Sequence, residues 1–148
     1  MNIFILDTNP VLAAQMQCDK HVVKMVLESA QILSTINGGP YKPTHKNHPC
    51  VLWVSASPAN YQWLSRHAIA LCVEYTVRYG KRHKCQDIIV DLAISDAYDN
   101  DEKVSFVQCM PDEYKGDDPV EAYRRYYRGA KAHFATWTNR DKPTWWEN

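Results

Sequence analysis

The stretch "CDKHVVKMVLESAQIL", residues 18–33, carries an uneven helical pattern. At about 100° per residue, His21, Lys24, Glu28, Gln31 and Thr35 fall within one stripe about 80° wide. Val22, Val23, Met25, Val26, Leu27, Ala30, Ile32, Leu33 and Ile36 take up most of the remaining circumference. A surface helix shows the reverse proportion, a modest apolar stripe and a broad polar face. This helix is therefore expected to be buried on several sides, with its thin ionisable line turned towards a cleft. Asp19 caps its start, and Gly38-Gly39-Pro40 stops it after Asn37.

The same reading extends along the chain. "NIFIL" is a short strand-like or buried extended run, and Asn9 followed by Pro10 starts a short helix. "GGPYKPTHKNHP" is irregular, since its prolines and glycines oppose both ladder and helix. "CVLWV" reads as a helical turn. Ser57, Pro58 and Gly80 bracket one long helix, with Arg78, Lys81 and Arg82 around its C-terminal end. Residues 85–94 form another helix, and 95–118 a long loop with a short extended piece at "KVSFVQC". A last helix starts at Asp118-Pro119 and runs through "VEAYRRYYRGAKAHFATW", ahead of an aromatic tail. No repeat or linker divides the 148 residues. The expected fold is mostly α, a single compact helical domain over residues 1–148 with a short N-terminal extended segment and long irregular loops.

Charge changes the picture more than composition does. The formal net charge is zero, yet residues 87–121 hold eleven acidic and two basic side chains. The remainder of the chain is correspondingly basic, and local sign decides what a surface attracts. The five cysteines share no Cys-x-x-Cys spacing and lie mostly in apolar stretches. They read as buried hydrophobes in a reducing compartment, with neither metal nor cofactor expected. The start "MNIFILDTNP" meets Asp7 too soon for a signal peptide, and no apolar run approaches the roughly 20 residues of a membrane span. A cytoplasmic protein is expected, in the host cytoplasm if the chain is viral.

Half-buried ionisable groups are costly unless paired or used, so the stripe is a candidate active site. The competing reading is an internal network in which Lys24 and Glu28, four residues apart, simply pair. The loop carrying Lys42, His45, Lys46 and His48 offers cations and backbone N–H groups to a phosphate or nucleobase. "YRRYYRGAKAHF" interleaves Arg124, Arg125, Arg128 and Lys131 with tyrosines, a mixture suited to tracking a charged backbone and stacking bases. The alternative is that those tyrosines pack a core while the arginines face water. Trp137, Trp145 and Trp146 are hard to place in a core so near a chain end, and offer a stacking surface.

Asp19-Lys20-His21, with Glu28 seven residues beyond the histidine, resembles the Asp-x-His…Glu helix of the pyrimidine-dimer DNA glycosylases of the endonuclease V type. His48 with its following apolar, aromatic run, the helix ending in "EYTVRYGK", and the close "KPTWW" (Lys142 to Trp146) are similar to further pieces of that family, in order. The resemblance implies a distant, phage-like member with Glu28 as catalytic carboxylate and His21 beside it. It also implies an N-terminal α-amine that attacks C1′ of the damaged nucleotide and forms an imine, after which the glutamate assists β-elimination. An α-amine suits this role because its pKa near ~8 leaves a neutral fraction at pH 7. Asn2 is a poor context for methionine removal, so Met1 is expected to carry the amine, with Lys24 as a substitute one turn from Glu28. Leu27 and Gln31 stand where the family has basic residues.

The expected function is thus a DNA glycosylase-like enzyme acting on a damaged or modified pyrimidine, with AP-lyase activity as a further possibility. Two alternatives stay open. One is a nucleobase- or nucleotide-modifying enzyme of the same fold with Glu28 and His21 as acid and base; the other is a non-catalytic nucleotide-sequestering protein. All three take DNA or a nucleotide as partner.

Overall fold

A computed structural model of the protein describes residues 1–93 and 104–146. Six α-helices make up the described fold, and no strand occurs among the described residues. They are α1 (Pro10–Met16), α2 (Asp19–Asn37), α3 (Pro49–Ser55), α4 (Pro58–Tyr79), α5 (Gln86–Leu92) and α6 (Pro119–Tyr126).

Local chemistry sets most of the ends. Asn9 accepts from the Val11 and Leu12 amides and Ser57 from the Asn60 amide, each ahead of a proline at the first helical position. Asp118 does the same for α6. Gly38 and Gly80 close α2 and α4 at φ 71° and 68°, a conformation that glycine adopts without Cβ strain. Cys18, not Asp19, occupies the cap position of α2. Asp19 is freed for a tertiary role described below.

Helix α2 packs against α3, α4 and α5, and α4 also holds α1. Val22, Met25, Val26, Ala30, Ile32 and Leu33 are buried, as the wide apolar arc requires, while Val23 stays exposed. "NIFIL" is buried but is not a strand. Phe4 takes φ 57°, which breaks the extension and is strained for a side chain with a Cβ. Surrounding contacts hold it there. Asn2 Oδ1 accepts from the Ile3 and Phe4 amides, and the buried Gln17 amide donates to the Ile3 and Phe4 carbonyls. Arg124 Nε donates to the Leu6 carbonyl, and its Nη2 pairs with Asp7.

Three expectations need correction. The 85–94 helix ends at Leu92, and position 94 lies outside the described residues, as do 95–103 of the expected loop. The last helix does not continue to Trp137. It passes at Tyr127 into a π-helical turn, Tyr127–Lys131, and ends there. The cause is tertiary: the fully buried Tyr127 hydroxyl must reach Cys18 and His21 at the start of α2. Nor is the C-terminal aromatic run a free surface. Trp137 and Trp145 are buried, their indole N–H groups donating to the Met16 carbonyl and the Met16 sulfur.

A charged cluster ties this tail to the helices. Arg78 is buried and donates to Glu74, Asp19 and the Gln15 carbonyl. Arg140 from the tail makes a two-point contact with Glu74 at 2.8 and 2.6 Å. Asp19 also accepts from both Thr136 and Thr138. Burial opposes the Asp19 charge, but the bonds from Thr138, Thr136 and Arg78 outweigh it and hold its carboxyl below the usual range.

Candidate active site

The first half of the α2 stripe opens onto a cleft of about 230 Å³ lined by Met1, Asn2, Phe4, His21, Lys24, Met25, Glu28, Tyr126 and Lys131. The start of the chain therefore meets the α2 carboxylate in one hollow. The backbone nitrogen of Asn2 donates to Glu28 Oε2 at 3.4 Å. Asn2 is itself anchored, its side-chain amide donating to the Cys109 carbonyl at 2.7 Å. No ion pair joins Lys24 to Glu28 among the described residues. That argues against the internal-network reading of the stripe.

His21 forms the floor. Its ring stacks on Phe4 at 4.0 Å and meets Tyr127 and Phe134 edge-on. Burial lowers its pKa to about 3, with the Lys131 and Lys24 charges adding to the effect. The Tyr127 hydroxyl accepts from the Cys18 amide and lies in short contact with His21 Nδ1. The same hydroxyl donates to Cys18 Sγ at 3.6 Å. Burial thus keeps the His21 ring neutral near neutral pH.

Lys131 arrives from the π turn. Its ammonium lies 4.8 Å from the Tyr126 ring centre and 5.7 Å from that of Phe4. With Lys24 and the α-amine it sets three cations against Glu28, so the cleft favours an anionic ligand.

Other candidate residues separate from this group. Gln31 and Thr35, in the second half of the stripe, lie outside the cleft, where Thr35 Oγ1 accepts from the Thr44 amide and anchors the 41–48 loop. Lys42, His45 and Lys46 are exposed, while half-buried His48 caps α3 by accepting from the Cys50 amide at 3.0 Å. Burial lowers the His48 pKa, helped by the α-amine and His45, with Glu28 opposing; this end of the loop therefore neighbours the cleft. Arg124, Arg125 and Arg128 are half-buried and occupied internally. Arg125 donates to the Tyr114 carbonyl, and Arg128 to Trp145 and Glu121. Their guanidinium groups thus bond to carbonyls and carboxylates of this chain. Trp145 lies 5.5 Å from the Arg124 guanidinium, and half-buried Trp146 packs on Trp137.

The sequence reading missed Phe4 and the Asn2 anchor, took Tyr126 and Tyr127 as stacking or core tyrosines without placing them beside His21, and gave His48 no cysteine neighbours. His48, Cys50 and Cys109 in fact place their donor atoms within 4.8 Å of one another. A larger, mostly apolar hollow of about 340 Å³ between α1 and α4 contains Glu74 and Arg140, which are already paired with each other.

A family model described as pyrimidine dimer DNA glycosylase matches residues 1–87. The chain belongs to that family. Membership implies a DNA-directed, glycosylase-like function. The matched part holds Met1, Asn2, Phe4, His21, Lys24, Met25 and Glu28, whereas Tyr126 and Lys131 come from beyond it. Comparison with curated proteins and with solved structures gave no match. No described helix is long and apolar enough to cross a membrane.

Proposed function

We propose that the protein is a DNA glycosylase for a damaged or modified pyrimidine, with an associated lyase step, working through its N-terminal amine and Glu28. The observation that carries this reading is the 3.4 Å contact between Glu28 Oε2 and the backbone nitrogen of Asn2 inside a cationic cleft. With Met1 retained, the nucleophile is the Met1 amine on the cleft wall; if Met1 is removed, that 3.4 Å nitrogen itself becomes the amine.

In this scheme the neutral amine attacks C1′, the glycosidic C1′–N bond breaks and the base leaves with its electron pair and a proton. The attached nitrogen loses a proton and its lone pair forms a C1′=N bond as the C1′–O4′ bond breaks; O4′ takes up a proton, and the sugar opens to an imine. Glu28 then takes a proton from C2′, and the C3′–O bond breaks with the 3′ phosphate leaving. Lys24 and Lys131 hold the flanking phosphates, with exposed Lys42 and Lys46 extending the contact. A flipped nucleotide is the species the cleft receives, since a base in the stack keeps C1′ out of reach.

Borohydride treatment of the protein with duplex DNA containing a pyrimidine dimer or an abasic site is the test. A covalent adduct is expected; in Glu28→Gln the adduct on abasic DNA is expected to persist while strand scission falls by on the order of 10²-fold or more. The absence of both adduct and base release overturns the reading. The internally bound arginines favour one second reading, a nucleotide-modifying enzyme with few duplex contacts, which requires turnover of free nucleotides without strand scission.

A further inference from the structure

Cys50 is the second residue of α3, and Cys109 lies beside it in a stretch without regular secondary structure. Their sulfurs are 3.1 Å apart although 59 residues separate them. Cys50 is fully buried, whereas Cys109 is half-exposed. His48 completes a group of three metal-type donors, but its Nδ1 already accepts from the Cys50 amide. The neutral ring then keeps its proton on Nε2 and has no free lone pair for an ion. Two thiolates on a tetrahedral zinc at about 2.3 Å would also stand roughly 3.7 Å apart, wider than this pair.

We propose that Cys50 and Cys109 are an oxidation site that closes to a reversible disulfide in response to a peroxide. Cys109 is the attacking thiol: it is the accessible one, and the hydrogen bond from Cys50 holds its pKa below the usual thiol range. Its thiolate attacks one peroxide oxygen, the O–O bond breaks, and the departing hydroxide takes a proton to become water. Cys109 is left as the sulfenic acid. The Cys50 thiol loses its proton and its sulfur attacks that of Cys109; the S–O bond breaks and a second water leaves. Two thiols are oxidised by two electrons and the peroxide is reduced to two waters. An added dithiol reverses the step.

The site is coupled to the cleft through the main chain. The Cys109 carbonyl accepts the Asn2 side-chain amide, and the Asn2 backbone nitrogen contacts Glu28. Closing the sulfurs to about 2.05 Å draws the Asn2 anchor towards α3.

The test needs no DNA, so its outcome is independent of the glycosylase reading. The fully reduced chain is treated with hydrogen peroxide, alkylated and analysed by intact and peptide mass spectrometry. Loss of about 2 Da, protection of two of the five thiols and a linked Cys50–Cys109 peptide are expected, all reversed by dithiothreitol. Cys50→Ser is expected to leave a dimedone-reactive sulfenic acid on Cys109, and Cys109→Ser to leave Cys50 unreacted. Alkylation of all five thiols after peroxide treatment, or linkage through Cys18, Cys72 or Cys85, overturns the proposal. So does stoichiometric zinc binding that shields both thiols without loss of mass.

Discussion

His21 owes its role to what surrounds it. Phe4 covers its ring, Tyr127 engages Nδ1, and Lys24 and Lys131 oppose a second proton on it. Glu28 is placed differently, half-buried at the cleft edge with the Asn2 nitrogen for a neighbour. Glu28→Gln keeps the shape and removes the proton acceptor. Affinity for abasic duplex, measured by fluorescence anisotropy, is therefore expected to stay within a few-fold while strand scission falls by on the order of 10²–10⁴. Lys131→Ala acts on binding instead. It is expected to weaken duplex binding and to lower the slope of log K against log salt by about 1, read from titrations at several salt concentrations. An unchanged slope would remove Lys131 from the phosphate contacts.

At the scale of elements, the π turn after α6 is the part that completes the cleft. It buries Tyr127 under His21 and brings Lys131 to the rim, in keeping with the frequent placement of such turns at functional sites. Tyr127→Phe leaves the buried Cys18 amide without the hydroxyl acceptor and frees His21 Nδ1. A stability loss of about 1–3 kcal/mol is expected, visible as a lower urea midpoint with an unchanged m value. This element also marks where the sequence stops being informative. Asn9-Pro10, Ser57-Pro58, Asp118-Pro119, Gly38 and Gly80 act within a few residues of themselves, so those helix ends could be read directly. The greasy circumference of α2 likewise gave its burial, and its polar stripe the location of the cleft. The end of α6 could not be read, because Tyr127 answers to Cys18, 109 residues away in sequence. Burial of Trp145 depends on Met16, 129 residues away, and the Cys50–Cys109 contact on a fold that brings α3 to a loop. The arginines of "YRRYYRGAKAHF" matched a nucleic-acid pattern in type and spacing, but their partners are carbonyls and carboxylates of this chain.

For the whole molecule, three buried histidines, His21, His67 and His83, and one buried charge cluster contribute to stability. Burial lowers His67 to about 4 and His21 to about 3, from an ordinary value of 6.5. Because the unfolded chain binds these protons first, stability is full above about pH 6.5 and is lost as pH falls towards the folded-state values. Each of His67 and His21 is expected to cost about 2 kcal/mol at roughly pH 5, measurable by urea unfolding at the two pH values. His67→Gln should remove about 2 kcal/mol of that dependence. Arg78→Ala removes the buried guanidinium that links Glu74 to Asp19, leaving Glu74 to Arg140 and Asp19 to Thr136 and Thr138, with an expected loss of about 1–3 kcal/mol in the same assay.

The same architecture brings the beginning of the chain to the α2 carboxylate, and that meeting is the central claim. Its most direct measurement is proteolytic mapping of the borohydride-reduced adduct with abasic DNA. Attachment of the sugar to the α-amine of the N-terminal peptide is the predicted result, with or without Met1. Attachment to Lys24 or another lysine, or undiminished strand scission in Glu28→Gln, would contradict it.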